Sequence, residues 1–207
     1  MTTPLDQEEQ NRTGLVQFAR AFSNIVSPPV IFAVMGLALS LYEFPLNQAL
    51  FWGAINGFVI SLLPILFVLW LLQSGRIGEL HMSNTAERHL PYLVAVVCGV
   101  LMYGIVDLFR GPHLLQCLAL FDIVALSALG IINTRWLISF HATAISAAWA
   151  ITALVFSWWS SLFVLPFVIA VVVVRLFLKR HTLAQIVAGL FLGIFSVWCL
   201  TLLGCFV

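Results

Sequence analysis

The stretch VRLFLKRHTLAQIVAGLFLG, residues 174–193, sets the end of one long apolar run against the start of another and puts Arg175, Lys179, Arg180 and His181 at the junction. A cation that close to hydrocarbon costs on the order of 3 kcal/mol unless it serves something. The junction therefore reads as an anion-handling site at a membrane face, and phosphate is the obvious anion.

Working outward, six more segments have the same character. Apolar runs fall near 22–43, 49–73, 91–109, 114–133, 138–157, 159–179 and 183–206. Each has the roughly 17–25 residues a helix needs to span a bilayer. The first carries Pro28-Pro29 in its opening turns and reads as partly interfacial. Residues 138–157 and 159–179 are joined through Trp158 and Trp159, which suit a membrane–water boundary. Hydrophobic residues make up 62% of the 207 and charged residues 8%, so lipid is the main solvent. The expected fold is an all-α polytopic transmembrane bundle of about six to seven spans over residues 22–207, preceded by a polar tail over 1–21.

A net charge of +1 gives no electrostatic reason for a nucleic-acid partner. Membrane lipids are the expected surroundings, and the chain is compatible with a homo-oligomer. Cys98, Cys117, Cys199 and Cys205 lie inside apolar runs without metal or redox spacing and read as packing residues. The start, MTTPLDQEEQNRTG, is polar and acidic, unlike a signal peptide. With seven spans, Arg12, Arg20, Arg76, Arg88, Arg135, Arg175, Lys179 and Arg180 share one face and Arg110 stands on the other. The positive-inside rule makes the first face cytoplasmic, in the inner membrane if the chain is bacterial.

Three polar clusters fall on that face. Residues 75–91 hold Arg76, His81, Glu87, Arg88 and His89; residues 135–144 hold Ser139 and His141; the junction adds His181 and Gln185, four apart on one helix face. Alone, the first reads as a solvated connector and His141 as a satisfied interfacial histidine. Two spans separate each cluster from the next, which returns all three to one side. Convergent Arg, His and Ser suit phosphoryl transfer. Arginine forks grip phosphate oxygens, one histidine attacks phosphorus, and a second protonates the departing oxygen. No Walker loop or H-E-x-x-H spacing occurs, so neither metal nor cofactor is expected.

At these residues the chain resembles the type-2 phosphatidic acid phosphatase superfamily, whose motifs run K-x6-R-P, P-S-G-H and S-R-x5-H-x3-D. The third corresponds to Val174-Arg175-x5-His181-x3-Gln185, the second to Ile138-Ser139-Phe140-His141, and the first to His81-x6-Arg88 with Pro91 beyond. The resemblance covers about 75–195. It implies that His181 is the nucleophile, His141 the acid, and Gln185 the partner of His181. Arg88, Arg175, Ser139 and His81 would hold phosphoryl oxygens. Three departures carry physical consequences. His81 replaces a permanent cation with one that titrates, Phe140 replaces a glycine, and Gln185 replaces a carboxylate with a neutral acceptor.

The resemblance implies a metal-independent membrane phosphatase, acting on a lipid phosphate or isoprenoid diphosphate through a phosphohistidine. Transfer of the phosphoryl group to an alcohol is a variant of the same chemistry. An inactive lipid-binding or transport protein on the same fold is the alternative. Asp122, in mid-span, suits either a transport role or a helix-tying carboxyl.

Overall fold

The computed structural model of the chain describes Leu5, residues 14–78 and residues 88–207. Among these residues there are eight helices and no strand. They are α1 Gly14–Ile25, α2 Pro28–Glu43, α3 Leu46–Gln73, α4 His89–Leu108, α5 His113–Ile132, α6 Phe140–Val155, α7 Trp158–Phe177 and α8 Leu183–Thr201. Helices α3, α4, α5, α7 and α8 are each long and apolar enough to cross a membrane, and α1 with α2, bent by 42°, passes the same test as a pair. The chain is an all-α bundle with the architecture of a multi-pass membrane protein.

The segment expected as a span over 138–157 is different in kind. Helix α6 has only 16 residues, about 24 Å at the usual rise, short of a hydrocarbon core of about 30 Å. Every residue from 142 to 148 is buried. An Ala-, Ser- and Thr-rich helix lets its neighbours approach closely, so α6 forms the axis of the bundle. Helices α2, α7 and α8 pack around it. Helix α1 runs through residues 14–21 of the expected polar tail.

Inside α3, residues Gly57–Leu62 form a π-turn just before Pro64. Proline lacks the N–H for the next rung and presses on the carbonyl four residues back, and a wider turn relieves both. On the same helix Asn56, fully buried, donates to the Phe32 carbonyl at 3.1 Å. Gly36 leaves the room for it, since a Cβ there would collide with the Asn56 amide.

The two ends of the bundle differ. One end collects the starts of α4, α6 and α8, the ends of α3, α5 and α7, and the cations Arg20, Arg76, Arg88, Arg135, Arg175, Lys179 and Arg180. At the other end Glu43 accepts from the Leu114 N–H at 2.9 Å and closes the first turn of α5. There too Cys117 and Cys205 form a disulfide with Cα atoms 5.5 Å apart. This corrects the reading of all four cysteines as packing residues. They are 88 positions apart in sequence, and only the return of α8 alongside α5 joins them.

Candidate active site

The chain reaches His181 through a helix stop. After α7, Lys179 adopts the left-handed conformation (φ 52°), the Lys179 N–H bonds the Leu176 carbonyl, and the Arg180 N–H bonds the Arg175 carbonyl. This pair of bonds reverses the chain and satisfies the last carbonyls. Thr182 then caps α8. Its hydroxyl accepts from the Gln185 N–H at 3.4 Å, while Gln185 Oε1 accepts from the Thr182 N–H at 2.9 Å. Sequence reading missed this role, although T-x-x-Q before an apolar run is the signature of such a box.

The loop entering α6 lies beside α8. His181 Nδ1 bonds the Leu137 carbonyl at 3.3 Å, and the Ser139 N–H donates to the Gln185 carbonyl at 3.2 Å. Asn133 pins the loop from behind: its Oδ1 accepts from the Ile138 N–H at 2.8 Å, and its Nδ2 donates to the Tyr92 hydroxyl at 2.8 Å. Ser139 is fully buried and caps α6, accepting from the Ala142 N–H at 3.4 Å. Phe140, at the glycine position of the second motif, turns inward, its ring 6.3 Å from Phe32 and 6.2 Å from Tyr92.

A carbonyl can only accept, so the bond to Leu137 requires the His181 proton on Nδ1 and leaves the lone pair on Nε2. His181 is 7% exposed. Burial, then the charge of Arg175, then that of Arg88 push its pKa down from 6.5 to about 3, against the opposing bonds to the Leu137 carbonyl and the Gln185 side chain. The ring is neutral at physiological pH. Arg175, in the last turn of α7, is buried and donates from Nη1 to the Ser23 hydroxyl at 3.2 Å. His141, in the first turn of α6, bonds the Ser23 carbonyl through Nε2 at 3.2 Å, so its proton sits on Nε2.

His181, Gln185, Ser139, Arg175 and Arg88 therefore meet at one end of the bundle, with His141 joined through Ser23. His81 lies outside the described residues. Arg76, the nearest other cation on that loop, stacks over the Trp70 ring at 4.9 Å. Asp122 is fully buried in mid-α5, and neither carboxyl oxygen has a hydrogen-bond partner among the described residues. Ten residues separate it from the end of α5, about 15 Å along the axis, so it stands apart from the His181 cluster. Ser23, Thr182, Asn133 and the Leu137 carbonyl were not foreseen. Ser23 and Asn133 lie in no motif, and a backbone carbonyl leaves no trace in sequence.

No family model matches the chain, and neither a curated protein nor a solved structure shows significant similarity to it.

Proposed function

We propose that the chain is an integral-membrane phosphatase that cleaves a lipid phosphate or isoprenoid diphosphate through a phosphohistidine at His181, without a metal. The observation that carries this reading is a buried, neutral imidazole with its lone pair on Nε2, beside two arginines from different parts of the chain. Those arginines disfavour imidazolium before substrate arrives and attract a phosphoryl dianion, whose charge they then share.

In the first step Nε2 of His181 attacks phosphorus, the N–P bond forms, and the P–O bond to the lipid breaks. The departing oxygen takes the proton held on His141 Nε2. In the second step the oxygen of water bonds phosphorus as the N–P bond breaks and returns its electron pair to His181 Nε2. His141 regains a proton from that water, and inorganic phosphate leaves. Helices α6 and α8 both begin at this end, and the positive ends of their dipoles favour an anion there. The hydrocarbon tail would lie among exposed apolar side chains of the spans.

The site faces the cytoplasm in this reading. Two independent features support it: seven described cations at the His181 end against Arg110 at the other, and a disulfide at the far end. Disulfides persist in oxidising compartments, and cationic loops stay inside.

The test is phosphate release by purified protein in detergent from prenyl diphosphates, phosphatidate and phosphatidylglycerol phosphate, with no added metal. Wild type should release phosphate and His181→Ala should not. Folded, monodisperse wild type that releases none from this panel would favour the lipid-binding or transport alternative.

A further inference from the structure

We propose that α1 is a built-in plug: Ser23 occupies the phosphoryl position, and an anion enters only when α1 moves off Arg175 and His141. The proposal rests on the phosphatase reading for the assignment of those two residues to the anion.

Two oxygens of one residue take donors from two different helices. The Ser23 hydroxyl accepts from Arg175 Nη1 of α7, and its carbonyl accepts from His141 Nε2 of α6, both at 3.2 Å. Ser23 is 1% exposed. Its carbonyl belongs to the last turn of α1, where carbonyls lack intrahelical donors and the helix dipole is negative. Ser23 thus offers paired oxygens and partial negative charge to the donors that a phosphoryl group would use.

Helix α1 is built to move as a unit. Val16, Ala19 and Ser23 form its buried stripe, while Leu15, Phe18 and Ile25 are 63%, 68% and 67% exposed. Gln17, Arg20 and Asn24 make a third, polar stripe that is also exposed. One face on the bundle, one apolar and one polar are the marks of a helix lying in the membrane interface. Its apolar grip on the bundle is limited: Val16 and Ala19 pack against Leu178 and Val174, and half-buried Phe22 reaches the main core. At its end Pro28 and Pro29 have no N–H to offer the carbonyls of Asn24 and Ile25, and the chain bends by 42° there. The joint to α2 is therefore a hinge without those helical rungs.

Orthovanadate serves as the probe, a tetrahedral oxyanion, on the full chain in detergent. Two quantities are measured: amide hydrogen exchange across residues 14–25, and vanadate affinity by calorimetry for wild type and Ser23→Ala. Saturating vanadate should speed exchange in α1 of wild type. Ser23→Ala should bind about ten- to a hundredfold tighter, since one competing hydrogen bond to a charged group is gone. Weaker binding by Ser23→Ala would overturn the plug, because Ser23 would then help to hold the anion. Exchange in α1 that is unchanged or slowed would do the same, independently of how the variant folds. Absence of vanadate binding in both proteins also overturns it, since nothing then competes with Ser23. Phosphate release and its dependence on His181 are read separately. A chain whose α1 lifts with vanadate but which releases no phosphate keeps the plug and loses the catalytic reading.

Discussion

Gly189 of α8 rides against the carbonyl oxygen of Ser139, so close that a Cβ on Gly189 would stand 2.6 Å from it. One turn on, Gly193 gives the same clearance to Ser146 and to the Thr143 carbonyl. Ser146 uses it to donate to the Leu190 carbonyl at 3.0 Å. These contacts hold the start of α6 at a fixed height beside the start of α8, and so keep the Leu137 carbonyl opposite His181.

Gly189→Ala should therefore lower stability by about 1–3 kcal/mol, the usual cost of overpacking, and lower phosphate release with it. Gly104→Ala is the control: the site is exposed, with nothing within 4 Å of the new Cβ, and helix propensity alone favours alanine by up to about 1 kcal/mol. Thermal midpoints in detergent compare the two. Equal midpoints for Gly189→Ala and wild type would contradict the close approach.

Gln185 closes the first turn of α8 and also bonds His181. Gln185→Glu keeps an acceptor at the cap and adds negative charge beside the ring, so it should retain stability and raise the His181 pKa. Gln185→Leu loses both bonds and should cost about 1 kcal/mol. Unfolding of the two variants, with ring titration by NMR, checks both expectations.

His181 binds its proton near pH 3 in the folded chain, against 6.5 for an unperturbed histidine. Between these values the unfolded state holds more protons. The contribution of His181 to stability is thus full above pH 6.5 and is lost as pH falls toward 3. The ring nitrogens should report neutral imidazole at pH 5 by ¹⁵N NMR. The midpoint of wild type should fall more steeply between pH 6 and pH 4 than that of His181→Asn. An imidazolium signal at pH 5 would contradict the burial between two arginines.

The Cys117–Cys205 bridge closes a separation of 88 residues. Removing it with Cys117→Ser and Cys205→Ser should cost about 2–4 kcal/mol, read as a lower midpoint that matches wild type under reductant. Cys98, buried without a bridge, should tolerate replacement by alanine far better.

Lys179 ends α7 in a left-handed conformation at φ 52°, which costs a residue with a Cβ about 1–2 kcal/mol. Lys179→Gly should raise the thermal midpoint by relieving that strain. A fall in midpoint would mean that the lysine side chain holds this turn.

How much was legible follows from which interactions are local. Helix-length apolar runs set both ends of α3, α4, α5 and α7 to within three residues, because a chain in hydrocarbon must satisfy its own backbone within each helix. The first run, begun at 22, straddles the break between α1 and α2, and the last runs past the end of α8 at Thr201. The shortness of α6 was hidden: its apolar run is continuous with the loops that flank it, and hydropathy does not separate a core helix from a lipid-facing one. Even crossing counts correctly predicted that the 135–144 and 174–193 clusters would share an end of the bundle.

By itself the sequence determined the all-α multi-pass architecture and the residue types that gather at one end, since both follow from polarity and period along the chain. Tertiary structure alone decided the rest: the Leu137 carbonyl that fixes the His181 tautomer, the disulfide between α5 and the chain beyond α8, and Ser23 lodged between Arg175 and His141. Each joins positions 44 or more residues apart. Such contacts exist only because helix packing brings distant backbones within hydrogen-bond reach.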